Sequence, residues 1–242
     1  PQRAWTGTPV FGAFLVPRVP GLDPARNGQR IVKEVVLIAA GNDFAGNVNV
    51  ARFTSLLAPP LGILSLGSYL AHHDVPVDLI DVQIDFGIGF TQAAEKVVAQ
   101  RVARYLEHKA GDLAWVGISQ LSNSGSGLVL AEEIHRALPE LPLVMGGYLA
   151  SSSFDLLLTQ YPFISAVVRG DGEAAALQIT RSLAQGESFL SACTPNLAWR
   201  DGGEIRWRPI QPMPLADLPI LDFCLLKSQA SYQIVDLMTS RG

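Results

Sequence analysis

Three stretches of the chain hold residue types suited to close contact with a ligand. The apolar run Trp115-Val116-Gly117-Ile118-Ser119 breaks into Gln120-Leu121-Ser122-Asn123-Ser124-Gly125-Ser126, and Leu141-Pro142-Leu143-Val144-Met145 ends in Gly146-Gly147. Hydroxyl and amide side chains offer donors and acceptors, and adjacent glycines let a flat ligand approach the main chain because no Cβ intervenes. Such a dipeptide also makes an ordinary tight βα turn. The third stretch, Arg169-Gly170-Asp171-Gly172-Glu173, has the glycines of a phosphate-binding turn. The dinucleotide fingerprint G-x-G-x-x-G, however, belongs after the first strand, with an acidic residue about 20 residues further on. That place reads Gly41-Asn42-Asp43, which disfavours a nicotinamide enzyme, and the absence of G-x-x-x-x-G-K-[ST] excludes a P-loop.

Other reactive residue types have weaker settings. Asp43, Asp81 and Asp85 fall near strand ends, where an acidic cluster binds Mg2+ and accepts a phosphoryl group. Such a site also wants a lysine at a later strand end, and none follows the fifth strand. His72, His73 and His108 close helices and His135 lies within one; a cation near a helix C-terminus is favourable without any ligand. Cys193 and Cys224 form no C-x-x-C pair, so neither a disulfide framework nor a metal site is argued from them.

These residues require a scaffold that brings strand ends together. Val35-Val36-Leu37-Ile38-Ala39-Ala40 is a run of the kind buried on both faces of a parallel sheet. Pro60 to His73 predicts a helix with proline in its first turn, then Val77 to Asp81 a strand, Ala93 to Lys109 a helix and Trp115 to Ser119 a strand. Leu128 to Leu138, Leu141 to Met145, Ser152 to Gln160 (with Ser151 to Ser153 as N-caps), Ile164 to Val168 and Glu173 to Gln185 continue the alternation. The fold class is therefore α/β with a doubly wound parallel sheet, whose ligands collect outside the carboxyl ends of the strands. Asn196 to Arg200 and Glu204 to Arg208 flank Asp201-Gly202-Gly203 as a β-hairpin, and Pro209 to Asp222 is a proline-rich connector that cannot join a parallel sheet. Ile234 to Met238 is a last strand-like run, which suggests that a further domain begins there.

The 242 residues, 48% hydrophobic and 17% charged, suffice for one well-buried α/β domain plus an appendage. A net charge of -4 gives no electrostatic footprint for nucleic acid or an anionic membrane. Apolar runs fall short of the roughly 18–20 residues of a spanning helix, and no basic segment followed by an apolar one opens the chain. A soluble, cytoplasmic protein is expected.

Ser119-Gln120-Leu121 with Gly146-Gly147 matches the S-x-L and G-G elements of cobalamin-binding Rossmann-like domains. Together with Pro59-Pro60-Leu61-Gly62, Val116-Gly117-Ile118-Ser119, Met145-Gly146-Gly147 and Val168-Arg169-Gly170-Asp171-Gly172-Glu173, the text from about residue 35 to 242 resembles the N-terminal part of cobalamin-dependent radical S-adenosylmethionine enzymes. The resemblance implies an extension over 1–34, a cobalamin-binding domain over 35–186, a hairpin and linker over 187–232, and the first strand of a truncated radical barrel over 233–242. It assigns corrinoid contact to Ser119, Gln120, Leu121, Ser122, Asn123 and Ser124, to Gly146, Gly147 and Tyr148, and to Arg169, Gly170, Gly172 and Glu173. Small residues would leave a slot for the nucleotide tail of the corrinoid.

Related cobalamin domains carry D-x-H-x-x-G after strand one, whose histidine ligates cobalt. Here the loop reads Gly41-Asn42-Asp43-Phe44-Ala45-Gly46, without histidine, so no protein metal ligand is expected. Arg52 becomes the residue assigned to the lower cobalt face, where a permanent cation discourages coordination; the other reading is a solvated loop arginine. The implied whole enzyme is a methyltransferase that moves a methyl group from S-adenosylmethionine, via methylcobalamin, to an unactivated or aromatic carbon, as in tryptophan C2-methylation. Its 4Fe-4S cluster and S-adenosylmethionine would sit in the barrel beyond this sequence, against which the chain would pack. The alternatives are a corrinoid carrier or sensor without chemistry of its own, and a radical ring-forming or rearranging catalyst.

Overall fold

The strand-like runs assemble into one sheet. In the computed structural model, which describes residues 33–40, 58–87, 92–120, 125–190 and 193–232, β1 (Glu34–Ala39) leads through α1 (Leu61–His72) to β2 (Val77–Asp81), then α2 (Val82–Asp85), α3 (Gln92–Glu107) and β3 (Leu113–Ser119). There follow α4 (Ser126–Ala137), β4 (Leu143–Gly146), α5 (Tyr148–Ser152), α6 (Phe154–Gln160), β5 (Ala166–Val168), α7 (Glu173–Gln185), β6 (Leu197–Asp201) and β7 (Glu204–Trp207). The chain divides into two units, Pro1–Arg30 and Ile31–Gly242, and all described residues belong to the second.

The seven-stranded sheet has the order β2-β1-β3-β4-β5-β6-β7; its first five strands are parallel, and β6 and β7 are antiparallel. This is the expected Rossmann-like α/β arrangement, with its order reversing between β1 and β3. Val35, Val36, Leu37 and Ile38 are all buried because both faces of β1 are covered. Val36, Ile38, Val116, Ile118 and Met145 face a core completed by Val102 and Leu106 of α3, Leu130 and Ile134 of α4, and Leu158 of α6. On the other face Val35, Leu37, Trp115 and Val144 meet Leu64 and Leu70 of α1 and Ala176 and Ile179 of α7. Each such burial contributes about 1.5–3 kcal/mol before the entropy of ordering is subtracted.

Three details depart from the expected elements. The helix expected from Ser152 is two helices, and Ser151 lies inside the first: its hydroxyl donates to Gly147 O at 2.8 Å, while Ser153, at the joint, makes no side-chain cap. Helix geometry thus begins immediately after Gly147. Second, the hairpin expected beyond the sheet extends it. β6 satisfies the outer edge of β5 through Ala166–Trp199, Val167–Ala198 and Val168–Leu197 pairs, and Arg200 donates to Leu158 O (2.6 Å) and Pro162 O (2.8 Å). Third, the connector contains no strand, as its prolines dictate, but single turns at Leu215–Asp217, Phe223–Leu225 and Gln229–Ser231 lead it back over the α1/α7 face, where Leu226 is buried. Residues 1–32 and 233–242, including the last strand-like run, lie outside the described residues.

Candidate functional site

The carboxyl ends of β3 and β4 bring the two ligand-type stretches into contact. Gln120 N–H donates to Gly146 O at 2.9 Å. Gly147 has φ +92°, and a Cβ there would lie 2.7 Å from Gln120 O and 3.1 Å from Ser119 Oγ, so this position excludes any side chain on both counts. Gln120 itself is buried, and its Oε1 would be 2.9 Å from a Cβ on Gly127 of α4. Its side chain therefore packs towards α4.

Beside this junction a cavity of about 510 Å³ runs between the sheet and helices α1 and α7. Leu37, Trp115, Gly117 and Val144 form its sheet wall, and Gly62, Ile63, Leu66 and Ala176 its helix wall. The rest of the lining comes from Ser119, Gly146, Gly147 and Tyr148 at the β3 and β4 ends and from Gly170, Asp171, Gly172 and Glu173 between β5 and α7. Its volume is that of a small-molecule pocket, with few polar groups set into apolar walls. Glycines create the space. A Cβ on Gly62 would meet no atom within 4 Å, and one on Gly117 would lie 2.8 Å from Leu37 and 2.9 Å from the Trp115 ring. The Trp115 indole is fixed from behind, its N–H donating to Thr180 Oγ1 at 3.0 Å.

The β5–α7 turn is held by residues that the ligand-type motifs do not include. Asn196 is buried, with φ +57°, a left-handed conformation that asparagine tolerates better than most residues. Its Nδ2 donates to Asp171 O (2.7 Å) and Gln211 O (3.0 Å), and its Oδ1 accepts from Gln211 N–H (2.7 Å). Asp171 Oδ2 accepts from Met213 N–H at 2.8 Å, Ile210 covers Gly170, and Gly170 N–H donates to Ser151 Oγ at 3.0 Å. Thr-Pro-Asn before a strand is a turn signal in sequence, but nothing there ties it to a turn some 25 residues earlier. Glu173 begins α7 fully buried, and its Oε1 accepts from Ser65 Oγ of α1 at 2.6 Å. Arg169 turns away from the cavity, its guanidinium 4.2 Å from the centre of the Phe154 ring.

Seven of the corrinoid-contact residues expected from sequence therefore line one cavity: Ser119, Gly146, Gly147, Tyr148, Gly170, Gly172 and Glu173. Gln120 and Arg169 support its rim. Leu121, Ser122, Asn123, Ser124 and Arg52 fall outside the described residues, as does the Gly41-to-Gly46 loop.

The acidic residues at the β2 end have partners in the linker. Asp81 accepts from Tyr232 OH at 3.0 Å and from Gln83 N–H at 3.1 Å, and Asp85 accepts from Asp81 N–H at 3.0 Å. Burial pushes both carboxyls above the usual aspartate range. At the start of β2, Asp78 meets Lys227 (2.6 Å), Lys109 (2.8 Å) and Tyr105 OH (2.7 Å). Burial opposes its ionisation, but hydrogen bonds from Lys109, Lys227 and Tyr105 together hold it below the usual range. Among the described residues no three His, Cys, Asp or Glu side chains are grouped to hold a metal ion, and no helix is long and apolar enough to cross a membrane. Cys193 and Cys224 are exposed and form no disulfide.

No family model matches the chain. It is 26% identical over 202 residues, 80% of its length, to a protein from Pyrococcus horikoshii named an uncharacterized methyltransferase. It is 31% identical over 127 residues, 52% of its length, to an anaerobic magnesium-protoporphyrin IX monomethyl ester cyclase from a Synechocystis strain. The matches span 40% and 23% of those two relatives, so the chain corresponds to a minor part of each.

Proposed function

We propose that residues 35–186 bind a corrinoid and that the chain is the cobalamin-binding portion of a radical S-adenosylmethionine methyltransferase acting on a small-molecule or peptide-precursor substrate. The carrying observation is the cavity of about 510 Å³ at the carboxyl ends of β3 and β4, opened by Gly117 and Gly62 and fronted by Ser119, Gly146 and Gly147. The similarity to a named methyltransferase over most of the chain supports the same reading. The lining suits such a group: small residues and main chain at Ser119, Gly146 and Gly147 would receive a flat macrocycle, and the apolar walls with few polar groups would receive its tail. When bound, the corrinoid supplies a cobalt centre able to take up and release a methyl group.

The chain's own contribution in this reading is binding and exclusion. Gly146 and Gly147 allow the main chain to come close, Ser119 offers a hydroxyl, and Leu37, Ile63, Trp115 and Val144 keep water from the tail. Arg52, which lies outside the described residues, would offer the metal a permanent cation in place of a ligand. The iron–sulfur cluster, S-adenosylmethionine and acceptor, an aromatic carbon in the tryptophan-methylating type, would belong to a barrel domain packed on this surface.

The purified chain is mixed with hydroxocobalamin and desalted. Retention of about one equivalent with a base-off spectrum is expected; no retained corrinoid would overturn the proposal. Gly62→Trp adds an indole at an exposed position of the cavity lining, where a Cβ meets no atom within 4 Å. It should abolish retention while leaving the melting temperature unchanged or higher, because replacing a helical glycine favours the helix by up to about 1 kcal/mol.

A further inference from the structure

Where the cavity lining meets solvent, the fold leaves hydrocarbon uncovered. Tyr148, the first residue of α5, lines the cavity and is 79% exposed. Ile210 of the connector is 49% exposed, although its side chain covers Gly170, another residue of the lining. Ser151 of α5 accepts from Gly170 N–H at 3.0 Å, so α5 and the β5–α7 turn adjoin. At the far end of that turn a Cβ on Gly172 would lie 3.2 Å from Leu66 of α1, a half-buried residue that also lines the cavity. Tyr148, Ile210 and Leu66 thus follow one arc, from α5 across the turn to α1.

The polar atoms along this arc are turned to the protein. Gly170 N–H is held by Ser151, Asp171 O accepts from Asn196, and Asp171 Oδ2 accepts from Met213 N–H. The turn has the glycines of a phosphate loop, yet the Gly170 N–H that such a loop would offer is already taken. Among the described residues no cationic side chain lines the cavity. The arc therefore offers an aromatic ring and two branched aliphatic side chains, a surface for an uncharged group that carries its own hydrocarbon.

We propose that Tyr148 and Ile210 form a shelf on which the edge of the corrin macrocycle rests, Tyr148 contributing its ring rather than its hydroxyl. The inference rests on the corrinoid reading of the cavity and adds to it a contact with the macrocycle that is separate from the slot for the tail. A corrin edge carries methyl and methylene groups, so seating it on the shelf removes apolar surface of both partners from water. Gly147 serves the same end: its close approach to Gln120 fixes where α5 begins, and hence where Tyr148 stands.

Dissociation constants are measured by absorbance titration of the purified chain with hydroxocobalamin and with cobinamide, which has the same macrocycle and no nucleotide tail. Both should bind the wild-type chain. Tyr148→Ala should weaken both by the same factor, about tenfold, as expected for an aromatic ring partly covered by the ligand, and Ile210→Ala should weaken both about threefold. Tyr148→Phe should bind both as the wild type does. Because Tyr148 and Ile210 are exposed, each variant should keep the wild-type melting temperature, and either alanine variant alone suffices for the comparison. A loss confined to hydroxocobalamin would assign these residues to the tail and overturn the inference, as would unchanged affinity in the alanine variants or a Tyr148→Phe chain as weak as Tyr148→Ala. Cobinamide that fails to bind the wild-type chain while hydroxocobalamin binds overturns it without any variant. If neither corrinoid binds, the corrinoid reading falls instead.

Discussion

Gly147 is the residue at which the ends of β3 and β4 are locked together. At its neighbour Gly146 a Cβ would meet only Val168 O, at an ordinary 3.8 Å, and the backbone there has no positive φ. Gly147→Ala should therefore cost about 1–3 kcal/mol through strain and contact with Gln120 O. In thermal unfolding that is a fall of roughly 2–10 °C, whereas Gly146→Ala should change the midpoint little. Equal midpoints for the two variants would show that the Gln120–Gly147 approach is not a constraint. A glycine pair is legible in sequence as a place of close approach. Which glycine is obligatory is not, because that depends on the main chain of a different strand end, at Gln120. Gln120 illustrates the opposite limit: its polar side chain reads as ligand-facing, but the glycine at 127 leaves room for it against α4.

At the scale of elements, the β5–α7 turn depends on the connector that crosses it. Asn196 carries three side-chain hydrogen bonds to Asp171 and Gln211 and a left-handed backbone. Asn196→Ala should destabilise by about 2–4 kcal/mol, from lost buried hydrogen bonds plus backbone strain. Asn196→Gly relieves the strain alone and should fall between wild type and alanine in equilibrium denaturation. Should glycine prove as damaging as alanine, the conformation at Asn196 contributes nothing beyond its bonds. The alternating strands and helices are readable because buried parallel strands form continuous apolar runs and the helices keep a 3.6-residue period. The hairpin is readable from Asp201-Gly202-Gly203, but not its place in the sheet, since pairing with β5 depends on which edge remains open rather than on any local pattern.

For the molecule as a whole, the linker ties the last described residues to β2. Asp78 has a folded-state carboxyl held below its ordinary value, so its contribution is present above the unfolded value of about 4 and is lost as the pH falls through the folded one. Asp81 and Asp85 are raised by burial and act in the opposite sense, their ionisation cost being relieved as the pH falls through their folded values. Acidification should therefore raise stability slightly at first, as Asp81 and Asp85 take up protons, and release the linker only below the ordinary aspartate range. Asp78→Asn should produce that release at neutral pH, seen as faster tryptic cleavage after Lys227; an unchanged cleavage rate would remove Asp78 from the latch. From sequence, Asp81 and Asp85 have the look of a cation-binding pair, because their partners Tyr232 and Ser228 lie 151 and 143 residues away.

That separation has a consequence for how the chain matures on the ribosome. β2 is the outermost parallel strand, and the segment that lies against it is synthesised 151 residues after Asp81. At about 5–20 residues per second, the nascent sheet waits roughly 8–30 s with this border uncovered, an interval in which another nascent chain can pair with it. The other border, β7, is guarded from the moment it forms by Glu204 and Arg206, charged residues at an exposed edge. The two ends of the sheet are thus protected at different times, one by its own charges and one by late arrival of the linker.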